Sequence, residues 1–213
     1  MPWFRFYLAV LIAATVAVVP FPTPRSLIDA PSTPSPRPTI LGYDRAADFG
    51  DWGVQPTGCT TREAVMADAW QVDSCRTPYR QWSPTETAPF TDPYTGAPLD
   101  PADVEVDHIF PLRAAWDMGA HAWSAEKRVA FANDPINLVV TSSAANQAKS
   151  DMLPSEWVPD NLRVRCAYGE RVAAIARGYD LPLPRADLRA IRRHCSGLQG
   201  LVSNVEMPVH SVE

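Results

Sequence analysis

The sequence predicts an α+β fold that is mainly helical, and two observations lead to this prediction. Two short segments, "VEVDHI" at 104–109 and "INLVV" at 136–140, have the length and the apolar pattern of strands. Segments with helix-capping residues lie before, between and after them. The second strand candidate is followed directly by a helix candidate, "TSSAANQAKSD" at 141–151. Two strands joined by a long loop can pair antiparallel, and the following helix can then pack across them.

The other predicted helices begin at residues that commonly cap or start a helix. Thr60 and Glu63 match the capping-box pattern, in which the two side chains satisfy each other's backbone N–H groups. Ser124 is a candidate N-cap, and Pro184 suits the first helical turn. Gly178 is expected to stop the longest helix. The expected helices are therefore about 61–70, 124–131, 160–178 and 184–195, and residues 76–103, rich in Pro, Thr, Asp and Gly, are expected to be mostly loop.

The chain divides into four predicted parts: a signal peptide or N-terminal anchor at 1–21, a Pro/Ser/Thr-rich linker at 22–42, one folded domain at 43–197 and a flexible tail at 198–213. Arg5 precedes an uncharged, mostly apolar run over 6–19, which suits the core of a signal peptide. The run is short for a membrane span, which needs roughly 20 residues. An uncleaved anchor remains the alternative, and cleavage is expected after Ala17 or near Ala30.

The charges are unevenly distributed along the chain. The net charge is −5, which does not indicate a general nucleic-acid binder. Residues 44–107 carry twelve acids and four arginines, whereas residues 161–195 carry eight arginines and three acids. The arginine-rich part could present a basic face to a nucleic-acid backbone, form a solvated face, or attract the acidic part.

The four cysteines, Cys59, Cys75, Cys166 and Cys195, predict two disulfides. Export to an oxidising compartment makes disulfides the natural state, and the chain has no C-x-x-C pair that would indicate a zinc site. Four cysteines allow three pairings. The pairing Cys59–Cys75 and Cys166–Cys195 is preferred because it closes short loops, and its expected role is stability.

Five polar residues in the strand–strand–helix region form the candidate site. Asp107 and the amide of Asn146 offer hard oxygen ligands, which suit Mg²⁺, and also Mn²⁺ or Ca²⁺. His108 has an ordinary pKa near neutrality and can take a proton from water, while Asn137 could orient its ring. Lys149, three residues after Asn146 on the same helix face, could bind a phosphate. A metal beside a general base is the minimum set of groups for hydrolysing a phosphodiester.

The series "EVDHIFPL…NLVVTSSAANQAKSD" resembles the HNH endonucleases, which share a ββα-metal fold. The further segments "TTREAVMADAW" and "WSAEKRVAFANDPINL" are similar to those of secreted bacterial HNH-family nucleases, and this resemblance extends from about 43 to 195. It implies that Asp107 is a metal ligand, that His108 is the general base and that Asn137 orients the base. Asn146 stands where the founding pattern has His, which implies weaker metal binding. The implied products carry 5′-phosphate and 3′-hydroxyl ends.

Each of these residues also has a structural interpretation. His108 could be a buried core histidine, Asp107 could pair with Arg113, and Asn137 could bond backbone at the end of a strand. Asn146 and Lys149 could belong to a polar helix face.

Arg62 and Glu105 are two further candidates for binding roles. Arg62 is a substrate-binding candidate that could equally contact the acidic N-terminal region, and Glu105 is a further candidate metal ligand on the face of Asp107.

The function predicted from the sequence is that of a secreted, metal-dependent HNH endonuclease. It is expected to act as a monomer on DNA, and on RNA as a further option, through backbone contacts and with little sequence specificity. The alternative is an exported, non-catalytic protein that binds nucleic acid or the cell envelope on a nuclease scaffold.

Overall fold

A computed structural model describes residues 2–19, 21–23, 25, 28–33, 35–82 and 89–210. The helices are α1 (Pro2–Val18), α2 (Arg45–Phe49), α3 (Thr61–Ala69), α4 (Leu112–Asp117), α5 (Ala125–Ala132), α6 (Ser143–Lys149), α7 (Arg165–Tyr179), α8 (Arg185–His194) and α9 (Gly197–Val202). The strands are β1 (Ser32–Thr33), β2 (Val104–His108), β3 (Leu138–Ser142) and β4 (Leu183–Pro184). Within this part of the chain the strands form two small sheets, β1–β4 and β2–β3. The mixed, mainly helical fold agrees with the prediction.

The predicted order of strand, strand and helix is present in the middle of the chain. β2 and β3 pair antiparallel, from Val104 opposite Ser142 to His108 opposite Leu138. α6 follows β3 directly and packs on both strands. β3 begins two residues later than predicted, because residues 135–137 form a short 3₁₀ turn that starts with proline. Proline has no N–H to offer to a strand ladder, and this favours the turn.

The β2–β3 sheet is buried on both faces. Side chains alternate along a strand, so Val104 and Val106 share one face with Leu138 and Val140, and this apolar face is flanked by His108 and Ser142. That face packs with α3 in a cluster made of Val65, Met66, Trp70, Leu99, Val104, Val106, Leu138 and Val140. The opposite face carries Glu105 and Asp107, whose side chains contact α6. The alternation therefore directs an acidic side chain into the protein interior.

The predicted helix starts at Thr60 and Ser124 are confirmed, whereas α7 begins at Arg165, five residues after the predicted start at 160. Thr60 accepts a hydrogen bond from the Glu63 N–H, and the Glu63 carboxylate accepts one from the Thr60 N–H, which completes the capping box of α3. Ser124 caps α5 by accepting a hydrogen bond from the Lys127 N–H. α7 runs one residue past the predicted stop at Gly178 and ends before Asp180, which takes the left-handed conformation at φ 55°. Helix ends that rest on local capping chemistry were thus placed correctly to within a residue or so.

The segment 22–42, which we call the N-terminal belt, is packed on the domain, and its prediction as a linker is corrected. Ile28 and Ala30 are buried in the large core cluster. β1 pairs in parallel with β4, placing Ser32 opposite Leu183. Although the segment is rich in Pro, Ser and Thr, its apolar side chains Ile28 and Ala30 are buried in the core. Residues 24, 26, 27 and 34 of this prediction lie outside the described residues.

Two arginines of the belt also hold it in place. The Arg25 guanidinium pairs with Glu170 on α7 at 2.5 Å. The Arg37 guanidinium pairs with the Asp151 carboxylate at 2.8 Å and lies 3.7 Å from Asp117. Because these pairs join the belt to three separate parts of the domain, the belt is part of the fold.

The tail after residue 197 is also packed, and the prediction that it is flexible is corrected for residues 198–210. The Ser203 hydroxyl accepts a hydrogen bond of 2.7 Å from the Cys166 N–H. The Arg171 guanidinium, which is mostly buried, donates to the carbonyls of Met207 and Pro208 at 2.7 and 2.6 Å. His210 is buried and contacts the Asp68 carboxylate at 3.0 Å. Residues 211–213 of this prediction lie outside the described part of the chain.

Both predicted disulfides are present, with the predicted pairing. The Cys59–Cys75 bond joins the residue before the N-cap of α3 to the loop after this helix, with 6.1 Å between the Cα atoms. The Cys166–Cys195 bond joins the first turn of α7 to the end of α8, with 4.7 Å between the Cα atoms. These separations lie in the usual range of about 4.4–6.8 Å for disulfides.

The N-terminal apolar run forms α1, whose described side chains are exposed. In the described part of the chain, no helix combines the length and the apolar character that membrane crossing requires. Whether the segment is a cleaved signal or an anchor remains a prediction, and residues 1 and 20 lie outside the described residues.

Candidate active site

The end of β2 and the adjacent face of α6 enclose a cavity of about 210 Å³. Asp107 and His108 line it from the strand, and Asn146 lines it from the helix. Three of the predicted site residues are therefore brought to one cavity. Asn137 and Lys149 are buried beside this group without lining the cavity, and Arg62 lies elsewhere.

Asp107 is a buried carboxylate with two side-chain donors. Its Oδ2 accepts a hydrogen bond of 2.7 Å from the Tyr94 hydroxyl. The Lys149 ammonium lies 3.0 Å from Oδ1 and 2.9 Å from Oδ2. Burial raises the pKa of Asp107, while the positive charge of Lys149 and these hydrogen bonds act in the opposite direction. The two donors fix the orientation of the carboxylate at the cavity wall.

Lys149 does not occupy a position that suits the predicted phosphate binding. Its side chain is fully buried. Besides Asp107, its ammonium donates a hydrogen bond of 2.8 Å to the His108 carbonyl. The spacing of three residues does put Lys149 on the same helix face as Asn146, but that face packs against β2. Because the ammonium is held between two groups of β2, Lys149 supports the strand end that carries the site.

His108 is held in one orientation by a backbone carbonyl and an indole ring. Its Nε2 lies 2.8 Å from the Ala132 carbonyl oxygen. A carbonyl only accepts hydrogen bonds, so Nε2 carries the proton and the Nδ1 lone pair remains available in the neutral ring. The imidazole is stacked on Trp52, with 5.4 Å between ring centroids and 7° between the planes. The ring therefore has a fixed tautomer and a fixed plane.

The surroundings of His108 favour its neutral form. Burial is the largest cause of a pKa lowered to about 3, and the charges of Arg45 and Lys149 act in the same direction. The hydrogen bond to Ala132 opposes this shift. The imidazole is therefore neutral at physiological pH, and a pKa this low also makes it a weak proton acceptor, because a general base works best with a pKa near the working pH.

Asn137 acts on the chain that follows His108, and the prediction that its side chain bonds the histidine ring is corrected. Its Oδ1 accepts a hydrogen bond of 2.8 Å from the Phe110 N–H, and its Nδ2 donates to the Phe110 carbonyl at 3.3 Å. Its own carbonyl accepts a hydrogen bond of 2.8 Å from the Ile109 N–H. Asn137 thus fixes the backbone immediately after His108, while Ala132 fixes the ring.

Asn146 lines the cavity, and Glu105 holds its amide nitrogen. The Asn146 Nδ2 donates a hydrogen bond of 2.5 Å to the Glu105 carboxylate. Its Oδ1 has no hydrogen-bond donor among the residues that the structure describes. Glu105, predicted as a further ligand, therefore serves to orient Asn146. The amide oxygen and the Asp107 carboxylate form a donor set that suits a hard divalent cation such as Mg²⁺.

Arg62 is not among the residues lining the cavity. Its guanidinium lies 5.0 Å from the centre of the Tyr79 ring. This position does not support a substrate-binding role for Arg62.

Four of the eight arginines in the region 161–195 bind the chain itself. The guanidinium groups of Arg165, Arg171, Arg177 and Arg192 each donate to backbone carbonyls of the belt, the tail or the loop before α7. These contacts support the packing of the two terminal segments, while the other four arginines, Arg163, Arg185, Arg189 and Arg193, are exposed.

One group of potential metal ligands lies outside the cavity. Cys166, Glu170 and Cys195 lie close together, but the two sulfur atoms form the disulfide and are not free to bind a metal.

Four groups around His108 and Asp107 were missed from the sequence. They are Arg45, Trp52, Tyr94 and the carbonyl of Ala132. The carbonyl has no side-chain signal, and Tyr94 lies in a segment predicted as loop. Arg45 and Trp52 belong to "YDRAADFGDW" at 43–52, far from the site in sequence.

Comparisons with known proteins support a nuclease-type domain. Residues 68–171 match the family model described as GmrSD restriction endonucleases, C-terminal domain. This range includes the predicted catalytic and metal-binding residues and excludes Arg62. No solved structure matches the chain.

A curated protein of the fungus Arthroderma benhamiae is similar to nearly the whole chain. It is 34% identical over 202 residues, which cover 87% of this chain and 95% of the fungal protein, and it is named "Uncharacterized secreted protein". Because this relative is fungal, the predicted closeness to bacterial nucleases remains a prediction. The chain therefore belongs to the same family as this fungal secreted protein, and its matched segment indicates a nuclease-type function.

Proposed function

We propose that the chain is a metal-dependent endonuclease of the HNH class that hydrolyses phosphodiester bonds of DNA, and of RNA as a further substrate, with little sequence specificity. The strand–strand–helix unit is its ββα-metal core in this proposal. The observation that carries it is the single cavity shared by a neutral, oriented histidine and two oxygen ligands. The nuclease-type family match over 68–171 supports it.

His108 is the proposed general base. Its Nε2–H is held by the Ala132 carbonyl, which leaves Nδ1 to accept the proton of the attacking water. The stack on Trp52 keeps the ring plane fixed, so Nδ1 keeps its direction during turnover. Asn137 holds the following backbone and so keeps the end of β2 in place. We assign Asn137 a positioning role, because it acts through the backbone.

Asp107 and Asn146 are the proposed metal ligands. Both offer oxygen atoms at the cavity, and Mg²⁺ is the cation that such ligands favour, with Mn²⁺ and Ca²⁺ as alternatives. When bound, such a cation neutralises charge on the phosphate and on the leaving oxygen. Glu105 keeps the Asn146 oxygen available by holding its amide nitrogen. Lys149 opposes the rise of the Asp107 pKa that burial causes, and it fixes the carboxylate.

The proposed place of action is outside the cytoplasm. The fungal relative carries the word "secreted" in its name, and the chain has two disulfides, which persist in oxidising compartments. The N-terminal apolar run would direct export, with or without cleavage. We propose that the protein acts as a monomer.

A second candidate function is an exported protein that binds nucleic acid or the cell envelope without cleaving it. The contact of the Lys149 ammonium with both oxygens of Asp107 favours this candidate. A positive group there competes with a cation for the carboxylate. This competition could leave the scaffold without a metal.

The test is degradation of supercoiled plasmid by the purified protein with Mg²⁺, Mn²⁺ or Ca²⁺ added separately, and again with excess chelator. The proposal predicts cleavage with at least one cation, loss of cleavage in chelator, and ends that a ligase can rejoin, because they carry 5′-phosphate and 3′-hydroxyl groups. Binding of the plasmid without cleavage under every cation would favour the second candidate.

A further inference from the structure

The cavity at Asp107 continues on the other side of His108. A second cavity of about 360 Å³ is lined by the Gly50–Trp52 turn, by Ala132 and Asn133, and by residues of α2 and α4. Arg45, His108 and Leu112 line both cavities. The two cavities therefore adjoin at these three residues, and together they are called the groove. A linear substrate placed with its reacting phosphate at His108 would extend into both.

Arg45 is the cationic side chain that lines both parts of this groove. It is the first residue of α2 and is exposed. Among the described residues, no carboxylate or carbonyl forms an ion pair or a hydrogen bond with its guanidinium. Arg45 shares both cavities with His108. The guanidinium is therefore close to the site and is not committed to another partner.

The acidic neighbours of Arg45 are occupied elsewhere. The Asp44 carboxylate accepts hydrogen bonds of 3.0 Å from the N–H groups of Ala46 and Ala47 as the cap of α2. The Asp48 carboxylate accepts a hydrogen bond of 2.8 Å from the Asp44 N–H. Asp51 also lines the second cavity but forms no ion pair with Arg45 in the described structure. The three acids thus leave the guanidinium available for an anionic ligand.

The predicted phosphate ligand cannot take this role, because the Lys149 ammonium is fully buried against Asp107. A groove that binds a polyanion still needs a positive group near the reacting phosphate. A guanidinium can donate two parallel hydrogen bonds to one phosphate group. We propose that Arg45 binds a backbone phosphate of the nucleic-acid substrate in the groove beside His108. This inference rests on the proposed function and adds a substrate-binding residue to it.

The experiment measures binding and cleavage separately. Binding of a fluorescein-labelled DNA duplex is followed by anisotropy in the His108→Ala background, so that the DNA stays intact, over salt concentrations of about 50–200 mM. Arg45→Ala is compared with Arg189→Ala, which removes an exposed arginine of α8 that lines neither cavity. Thermal melting of each variant confirms that it is folded.

The proposal predicts that Arg45→Ala weakens DNA binding about tenfold or more at low salt. The slope of log Kd against log salt concentration falls by about 0.9, the value for one lost phosphate contact. In the His108-containing protein, Arg45→Ala raises KM for DNA, and Arg45→Lys restores part of the binding. Arg189→Ala changes the affinity less than about twofold and leaves KM unchanged.

Suppose that the unmodified protein cleaves DNA, and that Arg45→Ala has the same DNA affinity and the same KM as Arg189→Ala. This result would overturn the role of Arg45 and leave the proposed function standing. The reverse outcome separates the two claims as well. If the unmodified protein cleaves nothing but Arg45→Ala still lowers affinity and salt slope, Arg45 binds phosphate and the proposed nuclease function fails.

Discussion

Replacing Lys149 by Ala tests whether this lysine supports the site or binds substrate. The chain has two lysines, which gives a matched control. Lys149 is fully buried and contacts Asp107 and the His108 carbonyl. Lys127 is exposed on α5, with its ammonium 4.3 Å from the centre of the Trp123 ring.

The expected loss of stability follows from the burial of the pair. Removing one partner of a buried ion pair leaves an uncompensated charge and costs about 3–5 kcal/mol. Lys149→Ala leaves Asp107 with the Tyr94 hydroxyl as its remaining side-chain donor. Lys127→Ala removes an exposed cation–π contact, which is worth about 0.5–1 kcal/mol. The two substitutions should therefore differ by at least about 2 kcal/mol.

The assay is urea unfolding of the oxidised protein at pH 7 in chelator, followed by tryptophan fluorescence. Together with Asp107→Asn and the double variant Asp107→Asn/Lys149→Ala, Lys149→Ala forms a double-mutant cycle that measures the interaction between the two side chains. The double variant should be less destabilised than the sum of the single variants, by about 1 kcal/mol or more, because the two side chains contact each other. A loss of less than about 1 kcal/mol for Lys149→Ala, equal to that of Lys127→Ala, would refute the supporting role.

Three further predictions concern Asn137, the tail and the N-terminal belt. Asn137→Ala leaves the buried Phe110 N–H without its acceptor and should lower the free energy of unfolding by about 1–3 kcal/mol in the same urea assay, whereas an unchanged midpoint would contradict the positioning role. Burial lowers the pKa of His210, so the unfolded chain binds more protons below its ordinary pKa of about 6.5. The stability that His210 contributes is thus present above that pH and decreases as the pH falls, by at most about 1.4 kcal/mol per pH unit. His210→Gln should make the pH dependence of the unfolding midpoint shallower between pH 7 and 5, and an identical slope would contradict the packed tail. If the signal is cleaved, N-terminal sequencing of the exported protein should find the new terminus before Phe21 and not near Ala30, because Ile28 and Arg25 pack on the domain.

The parts of the fold that follow from local chemistry were predicted correctly. The capping box at Thr60, the N-cap at Ser124 and the short apolar strands need only neighbouring residues, so the sequence reveals them. The preferred cysteine pairing was also found, since each pair lies close in sequence.

The terminal segments were predicted wrongly because their order depends on distant partners. The belt was predicted as a linker because it is rich in Pro, Ser and Thr. However, Ile28 is buried in the core, and Arg25 pairs with Glu170, which is 145 residues away in sequence. The tail likewise depends on Arg171, whose guanidinium holds two of its carbonyls. No local pattern contains this information.

In the candidate site, too, the motif residues were predicted from the sequence, whereas their distant partners were not. The motif residues Asp107, His108 and Asn146 do line one cavity. The side chain that supports them is a lysine predicted to bind a phosphate, and the group that fixes the histidine tautomer is the Ala132 carbonyl. A motif specifies residue types in order, whereas burial and backbone partners are properties of the three-dimensional fold.

The most direct measurement of the central claim is single-turnover cleavage of a labelled DNA duplex by His108→Ala, with Mg²⁺ or Mn²⁺ and enzyme in excess. His121→Ala, which removes an exposed histidine outside the groove, is the matched control. The account predicts that His108→Ala, with an unfolding midpoint showing that it is folded, cleaves about 10²–10⁴ times more slowly than the unmodified protein, while His121→Ala keeps its rate. Cleavage by folded His108→Ala at the rate of His121→Ala would contradict the claim that His108 is the general base of this site.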